Sequence, residues 1–165
     1  MEGIIFEEVR EEHLPQLAEI YNYYVQNSTA TFHSNPLSPE DMRGIVFFNV
    51  PRFKSYIINY QGELCGYGIL SRYKPREAYD ITAEVTIYLK PGYTGKGLGS
   101  AAVNLIEETA RKEDFKSLLA IICGENIESI RLFEKKGYTK CAHFNKVGQK
   151  FGRLLDVVCY QKMLV

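Results

Sequence analysis

The sequence predicts a mixed α/β fold: a mostly antiparallel central sheet flanked by helices. Three observations carry this expectation. The periodic segments run strand, helix, helix, three strands, helix, strand, helix and two closing strands. A doubly wound sheet would alternate strand and helix more regularly. The three consecutive strands read as antiparallel neighbours, and the continuously apolar run Leu118 to Cys123 suits a strand buried on both faces. With 165 residues, 45% of them hydrophobic, the chain is expected to fold as one domain over residues 1–165.

Each element has its own signal. Ile4 to Val9 reads as the first strand. A helix follows from about His13 to Gln26, because Leu14, Leu17, Ile20, Tyr21 and Tyr24 recur at helical spacing and Pro15 fits the first turn. Tyr21 and Tyr24 on that stripe read as core. Asn27 to Leu37 is a polar loop. Ser38 can cap the next helix, with Pro39 in its first position and Glu40 and Asp41 at the positive end of its dipole.

Ser55 to Tyr60 and Leu64 to Tyr73 read as strands joined by a tight turn at Gln61-Gly62-Glu63. Glu84 to Leu89 is a fourth strand, rich in β-branched and aromatic residues. A helix is expected from about Ser100 to Lys112, with Ala102, Val103, Ile106 and Ala110 on one stripe. Ile127 to Lys136 is a short helix that Gly137 stops. Tyr138 to Val147 and Leu154 to Leu164 close the chain through a turn containing Gly148 and Gly152.

The bulk numbers exclude several classes. Twenty basic and twenty acidic residues balance, leaving no basic field for nucleic acid or an anionic membrane. No apolar stretch is long enough to span a bilayer. The first ten residues carry Glu2, Glu7 and Glu8 where a signal peptide would carry positive charge, so a cytoplasmic location is expected. Cys65, Cys123, Cys141 and Cys159 form no CxxC pair and are expected to be reduced, buried thiols. His13, His33 and His143 are scattered without metal-ligand spacing, so no metal is expected.

The chemistry concentrates at Pro91 to Gly99, between the fourth strand and the helix that follows. Gly95, Gly97 and Gly99 permit dihedrals closed to other residues and expose backbone N–H groups. At a helix N-terminus such donors form an anion site suited to a pyrophosphate, and Lys96 adds charge. No Gly-Lys-Ser/Thr closes the loop, so it is not a P-loop. No first βα unit with an acidic ribose residue frames it as a dinucleotide fingerprint.

This loop, with its flanking strand and helix, resembles the acetyl-CoA site of the GNAT superfamily. That family's loop reads Gln/Arg-x-x-Gly-x-Gly/Ala; here it is Thr94-Gly95-Lys96-Gly97-Leu98-Gly99, with Thr94 departing from the usual first residue. The segment Asn126 to Tyr138, NIESIRLFEKKGY, resembles the family's second signature. The segments Ile20 to Val25, Ser28 to Phe32, Ala78 to Asp80, Thr82 to Leu89 and Gly152 to Val157 are similar to the phosphinothricin and methionine sulfone acetyltransferase branch.

The resemblance implies transfer of an acetyl group from acetyl-CoA to the primary amine of a small amino-acid-like molecule, by a homodimer. It implies cosubstrate contacts from Ile87, Tyr88 and Leu89 on the strand, from Thr94 to Ser100 in the loop, and from Asn126 and Ser129 at the short helix.

An amine attacking a thioester must first lose a proton. Glu84, in an otherwise apolar or weakly polar strand, is the candidate base: partial burial would raise its pKa, and the resemblance matches it to the branch's catalytic glutamate. The family also takes an oxyanion-stabilising N–H from this strand, here Ile87 or Tyr88. Where many relatives place a tyrosine or histidine as general acid, this chain has Phe133, which cannot donate. Tyr138, water or no acid at all would then serve the leaving thiolate, since a thiol with a pKa near ~8.5 leaves tolerably well.

Lys74 and Arg76 match basic positions preceding the catalytic strand and are candidates for a carboxylate clamp. Thr29 and Phe32 would line the other side of the pocket if the loop after the first helix folds over it. Arg153 and Asp156 read as structural or as interface residues. Two alternatives stay open: a peptide N-terminus as acceptor, and a CoA-binding module without turnover.

Overall fold

The structure, a computed structural model, describes residues 2–165. Along the chain run β1 (Ile4–Glu8), α1 (Leu14–Asn27), α2 (Pro39–Val46), β2 (Lys54–Tyr60), β3 (Glu63–Arg72), β4 (Thr82–Leu89), α3 (Leu98–Lys112), β5 (Ser117–Cys123), α4 (Ile127–Lys135), β6 (Thr139–Lys150) and β7 (Arg153–Met163). The strands form one seven-stranded sheet in the order β1-β2-β3-β4-β5-β7-β6. Every adjacent pair is antiparallel except β4 with β5. The fold class is therefore the one expected.

Local chemistry explains the boundaries. Ser38 Oγ accepts the Asp41 N–H at 3.0 Å while Asp41 returns the bond to Ser38 N at 2.9 Å, a reciprocal capping box that starts α2. The β2–β3 turn places Gln61 and Gly62 both at positive φ, the geometry that matches strand twist in a two-residue hairpin. Gly137 at φ +89 ends the α4 segment as expected.

Two apolar layers clamp the sheet. On one face, Val103, Ile106 and Ala110 of α3 and Phe133 of α4 pack on Ala83, Val85, Leu118 and Ile122. On the other, Leu17, Ile20 and Tyr21 of α1 and Met42 of α2 pack on Ile57, Tyr67 and Ile69. Alternation along β4 therefore sends Ala83 and Val85 toward α3, and Glu84, Thr86 and Tyr88 toward the α1 face.

Three expectations are corrected. Leu118 to Cys123 is not buried throughout: Ile121 is 46% exposed, while Leu119 and Cys123 on the same face are buried, because Ile121 borders the space where β4 and β5 have parted. Gly148 is not in the last turn. It belongs to β6, paired with Leu155, and the turn is Phe151-Gly152, both at positive φ. Cys141 is exposed rather than buried, because the β6–β7 register slips between Lys140 and Ala142 and leaves it as the extra residue of a bulge. Cys65, Cys123 and Cys159 are buried and free.

No helix among the described residues is long and apolar enough to cross a membrane.

Candidate active site

The parallel ladder between β4 and β5 is short. Thr82, Ala83 and Glu84 pair with Ser117, Leu118 and Leu119, and the pairing ends there. Past Glu84 the strands part, and a cavity of about 480 Å³ opens along the gap. Its walls are Val85 to Leu89 on β4 and Ile121 and Ile122 on β5. Thr94, Gly95, Gly97, Gly99 and Ser100 close one end, Asn126, Ser129 and Phe133 of the α4 segment another, and Tyr24, Ser28 and Ala30 a third.

The gap exposes unpaired backbone. In an antiparallel ladder, bonded and non-bonded residue pairs alternate. Lys90 N–H donates to Cys65 O at 2.7 Å, so Tyr88 with Tyr67 and Thr86 with Ile69 are the next bonded pairs of the β3–β4 register. Val85, Ile87 and Leu89 therefore turn their N–H groups toward the gap. Between the two candidates for an N–H donor, this favours Ile87, because the Tyr88 N–H belongs to the β3 ladder. Consistently, Leu89 O points away from β3 and accepts the Tyr24 hydroxyl.

At the glycine loop, Gly95 and Gly97 sit at φ +75 and +80, and Gly97 is the residue preceding α3. That helix has no side-chain cap and no acid in its first turn. Its first N–H groups thus lack an intrahelical acceptor and border the cavity, as a bound pyrophosphate requires. An unpaired strand edge at the other end suits the amide-bearing pantetheine arm, so the residues present fit acetyl-CoA.

Gly99 leaves room for the close packing of α3 on α4: an added Cβ would lie 3.1 Å from Leu132 Cδ2. Asn126 Oδ1 accepts the Ser129 N–H at 3.3 Å and caps α4, which leaves its Nδ2 for the cavity.

Glu84 lies on the last rung of the β4–β5 ladder, just before the gap opens, and is not itself among the residues that line the cavity. It is partly exposed, yet desolvation pushes its carboxyl above the ordinary glutamate range. Phe133 borders the cavity but is buried, its ring 4.9 Å from that of Tyr138 in an edge-on contact. Tyr138 does not line the cavity. Its hydroxyl is buried without a hydrogen-bond partner, and desolvation, then the Glu107 carboxylate, push its pKa up. That geometry withdraws Tyr138 as a proton donor.

The structure does not bring every expected residue to the cavity. Lys96 is an exposed loop residue outside its lining, and Leu98 is fully buried against Ile58, Cys65 and Ala102. Lys74 and Arg76 are exposed and lie over the rings of Tyr73 and Tyr79, with Nζ 5.5 Å and the guanidinium carbon 6.0 Å from the ring centres. The loop after α1 does fold over the cavity, but Ser28 and Ala30 line it. Thr29 instead donates to Glu125 at 2.6 Å, and Phe32 packs against Gly148, where an added Cβ would lie 2.4 Å from its ring.

Several lining residues, among them Tyr24, Arg131 and Lys135, are not legible in the sequence as site residues. Tyr24 looked like core but reaches Leu89 O. Arg131 and Lys135 on α4 also face the cavity, and their i, i+4 spacing on a short amphipathic helix was the signal available. Among the described residues, no group of three or more His, Cys, Asp or Glu is placed to hold a metal ion.

Comparison with known proteins agrees with this geometry. The sequence profile of the Acetyltransferase (GNAT) family matches residues 12–138. A phosphinothricin N-acetyltransferase of Streptomyces coelicolor is 32% identical over 159 residues, covering 93% of this chain and 92% of that one. An L-methionine sulfoximine/L-methionine sulfone acetyltransferase of Pseudomonas aeruginosa is 31% identical, covering 90% and 87%.

Among solved structures, a GNAT superfamily phosphinothricin acetyltransferase from Sinorhizobium meliloti, in complex with acetyl-CoA, superposes with a TM-score of 0.91 at 26% identity, covering 98% of this chain and 88% of that one. With the uncapped glycine loop and the open β4–β5 gap, these similarities place the chain in the GNAT family, as an acetyl-CoA-dependent N-acetyltransferase.

Proposed function

We propose that the protein acetylates the primary amine of a small amino-acid-like acceptor of the phosphinothricin or methionine sulfoximine/sulfone type. The observation that carries this reading is the gap between β4 and β5, which opens just past Glu84, with the loop after α1 folded over one side. Relatives named for those acceptors, similar over about nine-tenths of the chain, support it. A lid of this kind narrows the approach that an extended peptide would need.

Acetyl-CoA supplies the thioester carbonyl as electrophile. Glu84 removes a proton from the incoming ammonium, directly or through water, because only the neutral amine has a lone pair to give. Desolvation raises its pKa, which makes its ionised form a better base than an ordinary carboxylate. The Ile87 N–H meets the negative charge that develops on the acetyl oxygen. The first turn of α3 and the loop residues Thr94, Gly95 and Gly97 hold the pyrophosphate, and Asn126 orients the pantetheine arm. Phe133 donates no proton, so the thiolate leaves unassisted by a side chain or takes a proton from water.

The bare apolar residues Phe144, Val147 and Leu154, 53%, 59% and 59% exposed, support a homodimer that covers this end of the sheet. Light scattering at micromolar concentration tests that point: the expected mass is twice the chain's 18.9 kDa, and a monomer would refute it.

The function itself is tested by CoA thiol release with phosphinothricin, methionine sulfoximine, methionine sulfone, plain amino acids and a short peptide as acceptors. Turnover is expected on the phosphinothricin-type or sulfone-type amines. Turnover on the peptide alone would shift the assignment to N-terminal acetylation. Acetyl-CoA binding without any turnover would leave a CoA-binding module.

A further inference from the structure

We propose that Lys150 is a positioning residue: its ammonium latches the loop after α1 over the acceptor side of the cavity. The inference rests on the acceptor reading above. Lys150 ends β6 and is 4% exposed. Its Nζ donates to Ser28 O at 2.7 Å, to Thr31 O at 2.8 Å and to Tyr24 O at 3.4 Å. An ammonium has three hydrogens, and here each has a carbonyl of the α1 end or the following loop as acceptor. No carboxylate is among these partners, although a buried lysine is ordinarily paired with one. Burial pushes its pKa down.

A second tie lies across the same turn. Arg153, which begins β7, donates from both terminal nitrogens to Glu125 at 2.9 Å, and Glu125 accepts Thr29 Oγ1. These bonds, with Arg153 first and Thr29 second, hold the Glu125 carboxyl down to about 2. The two ties thus hold Ser28 to Thr31 from either side of the Phe151-Gly152 turn. That segment supplies Ser28 and Ala30 to the cavity, and Ala30 O accepts the Tyr88 hydroxyl at 3.3 Å. It lies on the sheet face that carries Glu84 and Tyr88, while the glycine loop leads into α3 on the other face. The latch therefore acts first on the acceptor side of the cavity, away from the glycine loop that borders its other end.

Lys150→Met tests this. The acceptor KM is expected to rise about tenfold, since Ser28 O and Thr31 O lose the ammonium donor, while Tyr24 O keeps the Ser28 N–H. Acetyl-CoA affinity should change less than about twofold, since none of the Lys150 bonds reaches the glycine loop. Hydrogen exchange across residues 28–33 should quicken about tenfold while β4 and β5 keep their protection. Lys150→Arg, which still donates to carbonyls, should recover part of both losses. Arg153→Gln, at the exposed end of the turn, should shift the same readouts by a smaller factor, and it carries the test if Lys150→Met does not fold.

Unchanged exchange across residues 28–33 in a folded variant overturns the latch whether or not any acceptor turns over. Faster exchange with an unchanged acceptor KM, or with an equal loss of acetyl-CoA affinity, overturns the positioning role. If the native protein acetylates none of the small amines, the acceptor reading is what fails, and the exchange result still decides the latch.

Discussion

Glu84→Gln is expected to lower kcat by about 10²–10⁴-fold while leaving acetyl-CoA affinity unchanged. Glutamine keeps the shape of the side chain and loses the capacity to take a proton. Native kcat/KM should fall as pH drops through a value above the ordinary carboxylate range, since desolvation raises the Glu84 pKa and only its ionised form is a base. The variant should lack that limb.

Stability should move the other way. A carboxyl whose pKa is raised by folding contributes its stability in full below the unfolded value and loses it as pH rises through the folded one. Above its folded pKa the ionised Glu84 is therefore a cost. Glu84→Gln should melt higher than the native protein at pH 7, and the difference should shrink as pH falls toward the unfolded glutamate pKa. Calorimetry at two pH values reads this directly. A variant that loses activity and also melts lower at pH 7 would mark Glu84 as a structural residue.

The second large effect is expected at the loop. Gly97→Ala places a Cβ on a residue at φ +80, ψ +4, immediately before α3. A left-handed conformation costs an ordinary residue about 1–2 kcal/mol. Relief of that strain would turn the first N–H groups of the helix away from the pyrophosphate. Acetyl-CoA affinity should fall about tenfold or more, since each 1.4 kcal/mol is a factor of ten. Gly62→Ala imposes comparable strain at φ +86 in the β2–β3 turn, where an added Cβ would meet nothing within 4 Å. It should reduce the melting temperature and leave acetyl-CoA binding as it was. Equal affinities for the two variants by titration calorimetry would contradict the role assigned to the loop.

What was legible in the sequence was local. Gly95, Gly97 and Gly99 announce a helix N-terminus built for an anion because their dihedral freedom belongs to each residue. The Ser38 capping box and the Gln61-Gly62 turn were readable for the same reason. The gap itself was not. Where the β4–β5 ladder stops is a property of two strands separated by all of α3, and neither strand encodes it alone.

The same limit explains the residues missed or misplaced. Tyr24 sits on an apolar helical stripe, and only its contact with Leu89, 65 positions on, turns it toward the cavity. The contact of Lys150 with Thr31 spans 119 positions. Thr29 and Phe32 were assigned to the right loop with the wrong orientation, because Glu125 and Gly148 decide which way they point. Cys141 is expected to be buried with the other thiols from cysteine usage alone, and the bulge that exposes it is not legible in a sequence.

The central claim is acetyl transfer to a small amine. A single reaction holding equimolar phosphinothricin, methionine sulfone and a short peptide with a free N-terminus, under limiting acetyl-CoA, tests it most directly. Mass spectrometry of the products then reads the ratio of kcat/KM values. The expected result is an acetyl group on one or both small acceptors and an unmodified peptide. Acetyl on the peptide alone, or on none of the three, would contradict the account.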